Sequence, residues 1–283
     1  MIRTWYTGAS GMRAQQFRLD AIANNLANVD SVAYKKDTAV HKAFPELLLR
    51  RMNDDGLYRH PFGSGDVAPI IGKIGLGVEF NELYTVFEQG AMKETQSDFD
   101  AALDGEGFFA VDTPQGERYT RAGDFVLGPE GFLETKDGYP VLGENGRIRV
   151  KENNFQIDKT GGVWINAAYA DEPDVMVDRA RNEWEETVLL DTLKIVSFYE
   201  PRYLEKQGAS LYRTNEVAGE AEIMPLDDRR PRVVQGFLEA ANVDPVVEMV
   251  QMIEVNRAYE ANQKVIQSGD QMLGVLINQV GRV

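Results

Sequence analysis

The 283-residue chain has no cysteine, only two histidines, and no apolar run approaching the length of a membrane-spanning helix. Without cysteine, neither a disulfide framework nor a thiolate metal site is available. His41 and His60 have no serine or acidic neighbours of the kind a catalytic triad or a metal pair requires, and both read as solvated loop residues. Basic residues are in deficit. Thirty Lys and Arg against 45 Asp and Glu give a formal net charge of −15, which argues against nucleic acid and against anionic membranes as partners. The opening Met-Ile-Arg-Thr-Trp-Tyr-Thr-Gly lacks the apolar core of a secretory signal, so a route out of the cytoplasm would be a different one. Gly72-Lys-Ile-Gly-Leu-Gly lacks the Lys-Ser/Thr ending and following helix of a phosphate loop. Pairs such as Asp98 with Asp100, or Asp104 with Glu106, follow from the abundance of acids and suit tight turns as well as acid–base work. The residues therefore offer no catalytic, cofactor or metal site.

What the chain does have is a long helical pattern at each end. Ile2, Trp5, Ala9, Met12, Gln16, Leu19, Ala23 and Leu26 recur at unbroken three-and-four spacing within residues 3–36, with Arg13, Arg18 and Asp20 off that line. Small residues and amides, among them Gly8, Gly11, Asn24, Asn25 and Asn28, lie on or near it. Small residues allow close approach, and a buried amide penalises wrong registers. An ordinary helix docking on its own domain would explain this much, but the other end has a matching pattern. Asp244 suits an N-cap and Pro245 the first helical position of a helix over 244–280. Met252, Tyr259, Ile266, Leu273 and Val280 recur every seventh residue, with Val255, Asn262, Gly269 and Leu276 as a companion line. At about 1.5 Å per residue the two helices would reach roughly 39 and 55 Å, too long for the middle of the chain to cover. The expected assembly seam is Trp5, Met12, Leu19, Leu26, Asn24, Asn25, Met252, Tyr259, Asn262, Ile266 and Leu273.

Between the ends the periodicity changes. Residues 53–77 are dense in Gly, Pro, Asn and Asp and read as an extended connector. From Val78 to about Phe237, short runs rich in Val, Ile, Phe and Tyr alternate with turn signals, the pattern of an all-β region. Asp137-Gly138 is a strong hairpin signal, Leu189–Tyr199 reads as one longer buried strand, and the acidic stretch 171–187 as an exposed excursion. The expected fold class is α+β, with long N- and C-terminal helices forming a coiled-coil-like domain and a central mainly-β domain. Its parts are an N-terminal helix (1–36), a connector (37–77), a β domain (78–237) and a C-terminal helix (238–283).

Three motifs carry a resemblance. Ala9-Ser-Gly-Met-Arg-Ala-Gln-Gln with Leu19-Asp-Ala-Ile-Ala-Asn-Asn-Leu-Ala-Asn-Val resembles the N-terminal signature of the bacterial flagellar rod and hook proteins. Gln235-Gly-Phe-Leu-Glu-Ala-Ala-Asn-Val-Asp-Pro and Arg257-Ala-Tyr-Glu-Ala-Asn resemble its C-terminal signature, and Asp104-Gly-Glu-Gly-Phe-Phe-Ala-Val with Tyr119-Thr-Arg-Ala-Gly-Asp-Phe its central block. Where the family usually has Gly before Tyr34-Lys-Lys, this chain has Ala33, at a turn whose backbone would suit Gly if φ is positive. The length fits a rod subunit rather than the larger hook protein. Gly138-Tyr-Pro-Val-Leu-Gly-Glu-Asn-Gly is most like a proximal-rod subunit, with a distal-rod or hook-like subunit as the alternative.

The resemblance implies a structural, non-enzymatic subunit that polymerises through its terminal helices into the axial tube of the basal body. That tube would be a periplasmic rod transmitting motor torque to hook and filament. Its partners would be copies of itself, other flagellar rod and hook proteins, and the flagellar type III export apparatus that delivers it without a cleaved signal. No cofactor, nucleic acid or small-molecule substrate is implied. Outside the family, a soluble receptor or adhesin on a coiled-coil stalk, or an enzyme built on the β region, would have the same gross pattern.

Overall fold

The computed structural model describes residues 2–50, 57–60, 63–66, 70–152, 154–166, 187–208, 210–227 and 230–280. The acidic stretch expected to be an excursion lies, but for Thr187, outside the described residues. The chain forms two compact units. One comprises Met1–Asn24, Thr38–Tyr84 and Val246–Val283; the other comprises Asn25–Asp37 and Thr85–Pro245.

The second unit is built on a six-stranded antiparallel sheet. In order across it run Glu205–Lys206, Leu211–Arg213, Gly116–Thr120, Phe108–Thr113, Ile195–Ser197 and Glu222–Ile223. Its centre is Phe108–Thr113, paired with Gly116–Thr120 on one side, from Gly116 opposite Thr113 to Thr120 opposite Phe109, and with Ile195–Ser197 on the other. Successive strand residues point to opposite faces, and here both faces are covered. Phe109 and Val111 join one apolar cluster with Leu103, Phe125, Leu133, Phe155 and Ile195. Phe108 and Ala110 join the other with Tyr119, Val196, Phe198 and Tyr212. That is why Phe-Phe-Ala-Val is a continuous apolar run rather than an alternating one. Smaller antiparallel pieces complete the unit, including Phe125–Leu127 with Leu133–Thr135, and Ala101–Asp104 with Arg232–Gln235.

In the first unit, helix α1 (Ile2–Ala27) and helix α2 (Pro245–Val280) accompany three two-stranded antiparallel ribbons, although the last residues of α1 belong to the second unit. The ribbons pair Asp37–Ala43 with Val78–Thr85, Leu47–Arg50 with Ile70–Ile74, and Leu57–His60 with Gly63–Asp66. The expected fold class is corrected here. Among the described residues there are only two α-helices, the remainder is mainly β, and no long coiled-coil pair is evident. Knobs-into-holes packing needs large side chains on the shared line, whereas the residues of α1 that are buried are Gly8, Ala14, Ala21, Ile22 and Asn25. Where α1 and α2 meet, they do so through glycine. A β-carbon on Gly8 would lie 2.9 Å from Ile266 Cγ1, one on Gly11 2.9 Å from Asn262 Nδ2, and one on Gly269 2.6 Å from the Trp5 indole nitrogen.

Other boundaries shift for local reasons. α1 stops at Ala27 rather than running to residue 36, because Asn28 and Ser31 turn the chain with backbone bonds back to Asn25 and Asn28. Leu189–Tyr199 is not one strand. It divides into the end of Thr187–Thr192, whose first four residues are exposed, and Ile195–Ser197 in the large sheet. The Asp137-Gly138 turn is as expected, with Gly138 at φ 81° and its N–H donating to Thr135 O.

Ala33 has φ 53° and is fully buried. The left-handed conformation costs a residue with a β-carbon about 1–2 kcal/mol, while losing one buried methyl costs about 0.8 kcal/mol. Ala33→Gly is therefore expected to raise stability slightly, by at most about 1 kcal/mol. A urea midpoint that falls in this variant would contradict the strain assignment.

Candidate functional site: a buried ionic junction and an exposed helix face

Segments far apart in sequence converge in the second unit on one carboxylate, Glu239, which is 2% exposed. Its Oε1 accepts from Lys35 Nζ at 2.6 Å and from the Gly90 N–H at 2.8 Å, and its Oε2 accepts from Arg121 Nε at 2.7 Å. Arg121 also donates to the carbonyls of Gly107, Leu103 and Gly105, and Lys35 to the carbonyl of Glu88. Beside this cluster, Asn25 donates to Asp37 O and accepts from the Asp37 N–H and the Tyr34 hydroxyl. The Asp37 carboxylate accepts from Lys206 and Thr85, and Asn242 ties Lys36 N–H to Val86 O.

One anion faces two cations, so a single surplus positive charge remains. Burial pushes the Glu239 carboxyl up, but Arg121 and Lys35 together outweigh it and hold it below the usual carboxylate range. For Lys35, burial wins and pulls the ammonium below the ordinary lysine range, only partly offset by Glu239. The two shifts agree once the surplus is assigned to Lys35, since a guanidinium does not give up its proton. Nearby, burial pushes the Tyr212 hydroxyl far up. A cavity of about 440 Å³ lies alongside, lined in part by Lys35, Phe87, Arg121 and Phe198. The charged groups of the junction are spent on one another and on backbone carbonyls, an arrangement that holds strands together.

Each junction residue sits in or directly beside one of the three motifs: Asn25 and Lys35 at the N-terminal end, Arg121 in the centre, Glu239 and Asn242 at the C-terminal end. Models of flagellar proteins match the same three stretches. The flagella basal body rod protein model matches residues 6–35, the flagellar hook protein FlgE/F/G D1 domain 102–165, and the flagellar basal body rod FlgEFG protein C-terminal model 234–279. The flagellar basal-body rod protein FlgG of Bacillus subtilis is 34% identical over 98% of this chain and 99% of its own length. That of Borreliella burgdorferi is 34% identical over 98% of each. The chain belongs to the flagellar basal-body rod protein family. The flagellar hook-basal body complex protein FlhO of Bacillus subtilis is also similar, 30% identical over the full length of both. The relatives are structural rod proteins, and this chain is a structural rod subunit of the flagellar basal body that assembles with other rod and hook proteins.

The residues expected to form a seam are distributed in the first unit and at the end of α1. Trp5, Asn262 and Ile266 stand at the glycine contacts. Met12, Leu19, Leu26, Met252 and Leu273 are half-buried, while Asn24 and Tyr259 are exposed. Asn25 is instead drawn into the junction. What sequence reasoning missed is the apolar surface that α2 leaves bare: Val246, Val247, Met249, Val250, Ile253, Val265, Met272, Val275, Leu276 and Ile277 are each 45–67% exposed. The signal was present as apolar residues off the heptad lines. His41 packs edge-on to Phe80 with both ring nitrogens buried, so it is not a solvated loop residue. Among the described residues, no group of three or more His, Asp or Glu could hold a metal ion.

Proposed function

We propose that this chain polymerises, through the exposed apolar faces of its terminal helices, into the axial tube that carries torque from motor to hook and filament. The observation that carries this reading is the bare apolar surface of α2 in a chain similar over its whole length to basal-body rod proteins. A patch of this extent on a charged molecule marks an interaction surface. Of the expected seam residues, Trp5, Met12, Leu19, Leu26, Asn24, Met252, Tyr259, Asn262, Ile266 and Leu273 belong to that interface in this reading, whereas Asn25 holds the buried junction. The role is mechanical rather than enzymatic, the rod lies in the periplasm, and the subunit travels unfolded through the flagellar type III export apparatus without a cleaved signal. The β region of the second unit, from Thr85 onward, faces outward from the tube in this reading.

Val275→Asp with Ile277→Asp tests the reading, since both side chains are more than half exposed and should tolerate charge in the monomer. The expected result is an unchanged urea midpoint, together with loss of tubes or filaments in electron micrographs of concentrated protein and loss of swimming in cells. Intact tubes and motility in this double variant would sink the proposal.

A further inference from the structure

In the first unit, α1 and the strand Val78–Thr85, with Phe44 and Leu76, enclose an open groove of about 610 Å³. Its apolar wall includes Phe17 and Phe80, stacked with ring centroids 4.4 Å apart, and Tyr6, which is 71% exposed. Two opposite charges line it as well, Arg13 and Glu79, and neither forms an ion pair with another described residue. A groove of this size, apolar with one cation and one anion beside it, suits an amphipathic helix that presents aliphatic anchors and a complementary charge pair.

The chain itself carries such a helix face. On α2, Val246, Val250 and Ile253 follow i, i+4, i+7 spacing and are 63%, 51% and 54% exposed. Glu254 and Arg257 follow directly, matched in sign to Arg13 and Glu79. The face cannot fill the groove of its own chain. α2 is continuous, and the stretch of it beside the groove-lining part of α1 is Asn262–Ile266, opposite Gly11 and Gly8. Val250 lies 12 to 16 residues away along the same helix, roughly 20 Å. The occupant must come from another molecule.

We infer that the groove receives the Val246–Arg257 face of α2 from a second copy of this chain, with Arg13 meeting Glu254 and Glu79 meeting Arg257. This rests on the reading of the protein as a self-assembling subunit and supplies the contact that drives it. Groove and helix face are different surfaces of one molecule, so the contact is head-to-tail. Each copy fills one groove and offers its own, and the series stays open unless its rotation closes a ring.

The chain has no cysteine, so introduced thiols report on this contact alone. Ala9→Cys, in the groove, and Val250→Cys are made separately, mixed, assembled and oxidised. A covalent dimer is expected in the mixture and in neither variant alone, and Ala9→Cys mixed with Ile277→Cys should give none. Tubes without the mixed dimer, or an equal yield with Ile277→Cys, would overturn the groove contact while leaving self-assembly intact. As a second measurement, Arg13→Glu should raise the critical concentration for assembly at least tenfold, and adding Glu254→Arg should restore it. A double variant no better than Arg13→Glu alone also overturns the inference. If the unaltered chain forms no assemblies at all, the self-assembly reading fails first and the groove contact falls with it.

Discussion

Glu239→Ala should cost about 3–5 kcal/mol, the scale for leaving buried charges uncompensated. The variant strands Lys35 and Arg121, both at most 6% exposed at the side chain, with no anion between them. It also removes the acceptor for the Gly90 N–H. Lys35→Met should cost less, because it leaves Glu239 and Arg121 as a neutral pair and discards the surplus charge. Urea denaturation of the two variants gives the comparison, and a larger loss for Lys35→Met would refute the charge assignment. The same junction sets a pH dependence. Because Glu239 sits below its unfolded value, its stabilisation is present above the ordinary carboxylate range and is lost as pH falls through the folded value. Lys35, depressed below its unfolded value, instead imposes a cost at neutral pH that is relieved as pH rises. Stability should therefore decline as pH falls below the ordinary carboxylate range, and Glu239→Gln should flatten part of that decline.

The junction explains why three separated motifs were legible while their joint purpose was not. Lys35, Arg121 and Glu239 are separated by 86 and 118 residues, and no local periodicity links a lysine after a helix to an arginine after a strand. Strands and turns of the central region could be read because alternation and Asp-Gly signals are local. The division of Leu189–Tyr199 could not, since an exposed apolar strand and a buried one have the same composition. The residues of α1 that pack within the chain were hard to read for a related reason. Weighting large apolar residues selects Trp5, Met12, Leu19 and Leu26, but the buried positions include Gly8, Ala14 and Ala21, whose small side chains carry little hydrophobic signal. The large residues left half-covered or bare by that choice are the ones a neighbouring subunit would cover.

Gly123→Ala should be at least as damaging as Glu239→Ala, through backbone rather than charge. A β-carbon at Gly123 would stand 1.6 Å from Ala101 O and 2.8 Å from Ala101 C, far inside contact distance. The close approach is enforced, because Gly123 O accepts the Ala101 N–H at 2.9 Å and Asp100 bridges Asp124. Nor can the neighbouring strand yield. Ala101, Ala102 and Leu103 are at most 1% exposed, and the strand is locked to Arg232–Gln235 in register. Overpacking that flexible side chains can absorb costs about 1–3 kcal/mol; here the obstacle is backbone, so the loss should exceed that range. It should also spread to the junction, since Arg121 lies two residues away and bonds to Leu103 O. Gly138→Ala provides the contrast. It too occupies a turn, but nothing lies within 4 Å of its added carbon, and only the conformational cost of φ 81° remains, about 1–2 kcal/mol. Thermal unfolding of the two variants should separate them widely, with Gly123→Ala failing to give a cooperative transition. Similar midpoints would mean that the strand Ala101–Asp104 can move, and that the glycine of the central motif is held there by something other than close packing.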